Sequence, residues 1–358
     1  MRILIDINHP AHVHLFKNLA RELEKKGHTI LFTTRKKEFA HILLSGYQLK
    51  YKCLGKHYKS PAGKLWGIVR YDFQLLLTAI TFRPDIIVSM GSIYASHVAF
   101  ILRKKNILLQ DTEHAGLQHK LSFPFSQVIL NPACFELRKT KKQLFYNGYH
   151  ELAYLHPNRF TPDITKLREY GLGASEKIVL VRFVSWNASH DKGHQGISYD
   201  NKIKAIHEFS REARVLITSE GPLPHELEKY RIRISPAKIH DIMPFITLLF
   251  GESATMASEC AALGVPSIFI DNEGRGYTRE EEKYGLVFNF TESETDQQLA
   301  IQKGIELLKS DKKIWKERQQ KMLSEKIDVT AFLVWFTENF PESILAMRND
   351  PEFDKRFK

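Results

Sequence analysis

Short apolar runs alternate with longer amphipathic stretches along the chain, the pattern of strands and helices that build parallel sheets covered on both faces. The spacing predicts a strand over Arg2 to Ile7, a helix over His12 to Lys26 stopped by Gly27, and a β-branched strand over Thr29 to Thr34. It predicts a long helix over Gly63 to Thr81, a strand over Asp85 to Met90, a helix over Ser92 to Arg103 and a strand over Ile107 to Gln110. Gln127 to Leu130 and Gln143 to Asn147 complete a first set of strands. Pro, Asn, Gly and charged residues then break the periodicity, so residues 156–176 read as a linker between a first domain, 1–155, and a second, 177–328. In the second, strands are expected over Lys177 to Val184, Val215 to Ser219, Arg231 to Ser235, Leu248 to Phe250 and Ser267 to Ile270. Helices are expected over Asn201 to Glu212, Ala254 to Leu263, Asp296 to Leu308 and Lys312 to Glu325. Residues 329–358 begin with a helix, Val329 to Asn339, that carries Phe332, Trp335 and Phe336 on one side. That side packs within the second domain or back on the first.

A chain of 358 residues is long for one core, which fits two domains. With 43% hydrophobic and 26% charged residues it has the composition of a globular protein, and no apolar run reaches the ~20 residues of a membrane span. The start MRILIDINHP lacks the layout of a signal peptide, so a cytoplasmic protein is expected. Cys53, Cys134 and Cys260 are too far apart for a zinc motif, and their odd number fits no disulfide framework. The net charge of +11 suits acidic partners, among them nucleotide diphosphates, polyprenyl phosphates and the inner face of an anionic membrane. The basic clusters Arg35-Lys36-Lys37, Arg103-Lys104-Lys105 and Arg138 to Lys142 show no basic–aromatic interleaving, so nucleic acid is not an expected partner.

The stretch Phe250 to Asp271, FGESATMASECAALGVPSIFID, carries the most chemistry. Gly251-Glu252-Ser253 forms a turn with an N-cap at Ser253, and the free N–H groups at the start of the following helix can hold an anion such as a diphosphate. Thr255 and Glu259, four apart, share one helical face, so a hydroxyl and a carboxylate can address phosphate and ribose together. An ordinary capped βαβ turn would have the same form. In the first strand–helix turn, His9, His12 and His14 lie close together, but nothing adjacent supplies a further ligand, and no metal is expected. His12, at a helix N-terminus, suits a general base, its neutral form favoured by the helix dipole; a capping role is the alternative.

Ligands of doubly wound sheets bind beyond the carboxyl ends of strands, which directs attention to three further loops. Gly91 and Ser92 open a helix after a strand and can hold an acceptor. Asp111, Glu113 and His114 concentrate two carboxylates and a histidine after another strand. Arg182, near the end of the first strand of the second domain, can give a charge-assisted bond to phosphate ahead of Ser185-Trp186-Asn187 and Ser189 to His194.

The sequence Gly-x-Ser-x-Thr-x-x-x-Glu followed by Ala-Leu-Gly-x-Pro resembles the donor-site motif of GT-B glycosyltransferases, notably the peptidoglycan N-acetylglucosaminyltransferase, and of the UDP-N-acetylglucosamine 2-epimerases. His12, Leu15, Leu19-Ala20, Leu23 and Gly27-His28 fit the first-helix motif of GT-B proteins. Asp111 to Leu117 resembles the Glu-Ala-Gly-Leu-Arg loop of the 2-epimerases, with an inserted His114 and Gln118 in place of Arg. Over nearly its whole length the chain is similar to an uncharacterised prokaryotic GT-B-like family associated with surface polysaccharides. The resemblance implies an α/β GT-B fold, two Rossmann-like doubly wound domains facing across a cleft, with 329–358 packing back on the first. It implies that Glu259 binds ribose, that Ser253, Ala254 and Thr255 bind diphosphate, and that backbone near His240 reads the base. It departs at Glu252, a carboxylate where a small residue is usual.

The expected function is metal-independent transfer of a sugar from an NDP-sugar, most simply UDP-linked, with no cofactor. His12 is the expected base, with Glu113 or Asp111 as substitute, and the acceptor, a carbohydrate or polyprenyl-phosphate-linked sugar, lies against His14, Gly91, Ser92 and His114. A non-hydrolysing NDP-sugar 2-epimerase is the alternative, favoured by the Glu113 loop and by His190 or His194. A GT-B-like subunit that binds but does not catalyse is the third reading.

Overall fold

The computed structural model describes residues 1–36, 39–56, 61–184, 195–219 and 221–358. The first half runs β1 (Arg2–Asp6), α1 (Pro10–Lys25), β2 (Thr29–Lys36), α2 (Ala40–Gly46), β3 (Tyr51–Lys56), α3 (Pro61–Phe82), β4 (Ile86–Met90), α4 (Ile93–Ile101), β5 (Lys105–Leu109), α5 (Gly116–Ser122), β6 (Val128–Pro132), β7 (Gln143–Tyr146) and α6 (Leu152–Leu155). These seven strands form one parallel sheet in the order β3-β2-β1-β4-β5-β6-β7. The second half runs β8 (Ile178–Phe183), α7 (Tyr199–Ser210), β9 (Arg214–Ser219), β10 (Leu248–Gly251), α8 (Ala254–Leu263), β11 (Ser267–Ile270), α9 (Gly276–Lys283), β12 (Val287–Phe290), α10 (Glu294–Leu308) and α11 (Lys312–Glu325). Its five strands pair in parallel in the order β12-β11-β10-β8-β9. The chain closes with α12 (Val329–Glu338) and α13 (Glu342–Asn349).

Two compact units result, Met1–Arg159 with Lys326–Lys358, and Phe160–Glu325. Residues 160–176, read as linker, therefore count with the second unit, where Ile164–Tyr170 winds into a 3-10 helix capped by Asp163. In the first unit α12 buries Phe332 and Phe336, with Phe332 against Tyr146 at 5.2 Å and the Thr330 hydroxyl donating to the Ala153 carbonyl at 2.6 Å. The core of the second unit is built from the inward residues of β8 and β10, Val179, Val181, Leu248 and Phe250, against Phe209 of α7.

Both sheets change direction once. The chain adds β2 and β3 on one side of β1 and β4 to β7 on the other, so the reversal in the first sheet lies between β1 and β4. In the second it lies between β8 and β10. Each reversal leaves a crevice at the carboxyl ends of the strands, where doubly wound sheets bind ligands.

Local differences from expectation have physical causes. Helix α1 starts two residues early because His9 caps it, its Nδ1 accepting the Ala11 N–H at 3.2 Å, and Pro10 takes the first helical position, where a missing N–H is no loss. Its end is a Schellman motif, the His28 N–H donating to the Leu23 carbonyl at 3.0 Å across left-handed Gly27. The strand expected over Arg231 to Ser235 is absent. That stretch makes one bridge, Arg231 with Ile217, between two 3-10 helices, and Pro236 ends it. Elements α2, β3, α5, α6, α9, β12 and α13 had no sequence prediction; α9, GYTREEEK, is too polar to show an apolar face.

Candidate functional site

The reversal in the first sheet is occupied by a buried network. Asp6 ends β1, and its carboxylate accepts from the Thr33 hydroxyl at 2.6 Å, from Arg35 Nη1 at 2.8 Å and from the Ser92 hydroxyl at 2.5 Å. Arg35 Nη1 also donates to Asn8 Oδ1 at 2.6 Å, while the guanidinium lies over the Tyr94 ring at 4.3 Å. Ser92 caps α4 by accepting the Ala95 N–H at 3.2 Å. Its hydroxyl thus both donates and accepts within the fold, and Ser92, expected to bind an acceptor, is a buried structural residue here. Gly91, at φ +57°, is covered by Gln118, whose Nε2 donates to the Gly91 carbonyl. The left-handed backbone at Gly91 favours glycine, and a Cβ there would have to push the Gln118 amide aside.

Beside this network lies a titrating cluster. Asp111 follows β5 and pairs with His150, Oδ2 to Nδ1 at 2.9 Å, while the Thr112 hydroxyl donates to Asp111 Oδ1 at 2.9 Å. Burial works to raise the Asp111 carboxyl, but His150, Thr112 and the charge of nearby His12 outweigh it and hold the group below its ordinary value. Glu113, two residues on, moves the other way. Burial, reinforced by the Asp111 charge, pushes its carboxyl up against the backbone bonds that oppose it, which include the Glu136 N–H donating to Oε1 at 3.4 Å. Burial and the same Asp111 charge push the Tyr146 hydroxyl well up, keeping it a donor. Three buried polar atoms of these neighbours have no hydrogen-bond partner among the described residues: Glu113 Oε2, Tyr146 Oη and His150 Nε2. Buried polar groups without partners are rare in folded chains and collect where ligands or reacting groups belong.

His150 had no signal in the sequence, because it lies in a polar stretch after β7 and reaches Asp111 only through the sheet order. His12, the expected base, is half-buried in the first turn of α1, and its Nδ1 accepts the Asn8 N–H at 3.3 Å, which places the proton of the neutral ring on Nε2. His14 points elsewhere. It is buried with its ring 5.3 Å from Tyr154 and 5.8 Å from Tyr47, Nδ1 lying 3.4 Å from the Tyr47 hydroxyl, away from the acceptor role expected of it. His114 is exposed on the loop after Glu113. Among the described residues no group of three His, Cys, Asp or Glu side chains is arranged to hold a metal ion.

In the second unit the crevice between β8 and β10 is narrow at its base. Arg182 and Gly251 are register partners, and a Cβ on Gly251 would sit 2.1 Å from the Arg182 carbonyl oxygen. Glycine here lets β10 press on β8 and start the turn into α8. Ser253 caps α8 by accepting the Met256 N–H at 3.4 Å; Ala254 opens the helix and, with Thr255, stays half-buried at its start. One turn deeper Glu259 is buried, its Oε1 2.9 Å from His240 Nε2, so two residues expected at the donor come together. Phe160 packs edge-on to His240 at 6.4 Å.

Glu252 is turned inward. Its carboxylate accepts the Val184 N–H at 2.8 Å and the Ile197 N–H at 2.6 Å, joining the two described ends of the chain that flank 185–194. The departure from the motif is thereby explained: the charge is held by backbone donors. Ser185, Trp186, Asn187, the stretch Ser189 to His194 with His190 and His194, and Lys37 lie outside the described residues.

Known proteins share this architecture. An uncharacterised protein of Methanocaldococcus jannaschii is 26% identical over 279 residues, 74% of this chain and 80% of the relative. Among solved structures, the UDP-GlcNAc 2-epimerase of Neisseria meningitidis bound to UDP-GlcNAc has a TM-score of 0.66 at 15% identity, over 90% of this chain and 94% of that one. A spinosyn rhamnosyltransferase complexed with spinosyn aglycone has a TM-score of 0.60 at 15% identity, over 95% and 100%. The fold is therefore the GT-B fold, shared by epimerases and glycosyltransferases. Residues 1–285 match the family described as protein of unknown function (DUF354), and the chain belongs to it.

Proposed function

We propose that the chain is a nucleotide-sugar enzyme that binds an NDP-sugar, UDP-linked, on its second unit and transfers the sugar to an acceptor hydroxyl deprotonated by the first. The observation that carries this reading is the cluster at Asp111: an ionised carboxylate, a carboxyl pushed toward its neutral form, and an imidazole whose Nε2 is buried without a partner. Neighbouring carboxyls driven apart mark acid and base roles. Asp111 fixes His150 through Nδ1, and Nε2 is then the lone pair that takes the acceptor proton. The acceptor oxygen forms a bond to the anomeric carbon as the bond from that carbon to the diphosphate breaks, and the electron pair leaves with the diphosphate. The N-terminus of α8, with Ser253, Ala254 and Thr255, and Arg182 meet that negative charge, so the reaction needs no metal or other cofactor. Glu259, oriented by His240, takes the ribose hydroxyls. His12, beside Asp111, donates through Nε2 and positions the acceptor. The acceptor is a carbohydrate or a polyprenyl-phosphate-linked sugar of surface polysaccharide synthesis, within reach of His114.

The same cluster favours a second reading. Two carboxyls of opposite tendency and a histidine can also remove and return a proton on one sugar, the requirement of a 2-epimerase, and one neighbouring fold is that of a UDP-GlcNAc 2-epimerase. Incubating the protein with each UDP-sugar, with and without acceptor, and following the sugar by NMR separates the readings. Transfer yields free UDP and a new glycoside only with acceptor present; epimerisation changes C2 without one. Binding with neither product supports a non-catalytic subunit.

A further inference from the structure

Helix α3 carries an apolar stripe that no other described residue covers. Trp66, Val69, Phe73, Leu77 and Ile80 are 46–62% exposed and are spaced three and four residues apart. At 3.6 residues per turn they fall within an arc of roughly 80° and run along roughly 21 Å of the helix. The neighbouring helix α4 packs on α3 and extends the surface with Phe100 and Ile101, 62% and 60% exposed. Large apolar side chains scattered singly are ordinary; seven on two adjacent helices are an interaction surface.

Charge identifies what covers it. Positions 61–105 hold Lys64, Arg70, Arg83, Arg103, Lys104 and Lys105 against only Asp72 and Asp85. Both acids are engaged, Asp72 with His97 at 2.9 Å and Asp85 with the Arg2 N–H at 2.7 Å. A second copy of a chain of net charge +11 would bring like charges together, whereas an anionic bilayer supplies both an apolar interior and opposite charge. No helix among the described residues is long and apolar enough to cross a membrane, so the stripe lies along the surface. We propose that the α3–α4 face docks on an anionic lipid bilayer, with Phe73, Leu77 and their neighbours among the headgroups and acyl chains. Helix α3 begins beyond the carboxyl end of β3, which puts Trp66 toward the edge of the sheet that carries the Asp111 cluster. The inference stands apart from the reaction assigned to that cluster.

The test is flotation of the full chain with vesicles of phosphatidylcholine alone or mixed with phosphatidylglycerol. Co-flotation with the anionic vesicles is expected, and the double variant Phe73→Ser, Leu77→Ser should lower partition at least ~10-fold by removing two large buried apolar groups from the bilayer. Both positions are solvent-exposed, so the variant should unfold at the wild-type temperature. Wild-type protein that stays in solution with every vesicle, or a variant that floats as well as wild type, would overturn the proposal. So would a stable dimer that the double variant converts to monomer, since a second copy would then be the occupant.

Discussion

The two sheets reverse in the same way and use the crevice differently. In the first unit the reversal is filled by an ion pair, Asp6 with Arg35, and a second set of titratable groups gathers one strand farther on, where Asp111 pairs with His150 close to Glu113. In the second unit Gly251 lets β10 press on β8 at the reversal, the small residues Ser253 and Ala254 begin α8 just beyond it, and the Glu252 carboxylate is bound to backbone. One topology has been fitted for proton transfer in one copy and for holding a ligand in the other, on the function proposed above. Side chains at the strand ends, which packing does not dictate, account for the difference.

The largest expected effect falls on the first unit. His150→Ala should lower turnover by roughly 100- to 10,000-fold, the usual contribution of a general base, and leave donor affinity unchanged in calorimetry. Retained turnover would move the base to His12 and break the assignment. Next comes the buried pair: Asp6→Ala strands Arg35 and should cost about 3–5 kcal/mol in urea unfolding of the first unit. A loss below about 1 kcal/mol would mean that the Asp6 network does not hold the reversal together.

A pH experiment sharpens the same contrast. Burial, with Lys139 adding to it, lowers His119 from 6.5 to about 4. The native state therefore resists a proton that the unfolded chain accepts, so this group's contribution is full above pH 6.5 and is lost as pH falls from 6.5 toward 4, by roughly 3 kcal/mol at the limit. His119 packs against Phe123 at 4.6 Å, and His119→Phe should flatten the stability profile across that window. An unchanged profile would place the acid sensitivity elsewhere, His156 being next because burial lowers it too. The smallest effect belongs to the second unit, where Glu259→Ala should weaken nucleotide binding by roughly 1–3 kcal/mol through loss of charge-assisted bonds, without changing the pH dependence of turnover.

Much of this is legible in the residues because local chemistry set it. Ser253 caps its helix, Gly251 sits where a side chain cannot, and Thr255 and Glu259 share a face because of helical periodicity alone. Partners separated along the chain are less legible. His150 meets Asp111, and Arg35 meets Asp6, because strand order brings the ends of β5 and β7, and of β1 and β2, to one edge. Ser92 looked like a ligand-binding hydroxyl because its commitment to Asp6 spans from β4 to β1. His14 was expected to meet the acceptor beside His12, yet two positions along a helix point roughly 200° apart, and that turn sends it into Tyr47 and Tyr154.

The central claim is that the second unit is a nucleotide-sugar site, and titration calorimetry of the purified protein with UDP, GDP, dTDP and CMP, without divalent metal, tests it most directly. The account expects UDP to bind with a Kd on the order of micromolar and Glu259→Ala to weaken it. No heat of binding from any of the four nucleotides would contradict it.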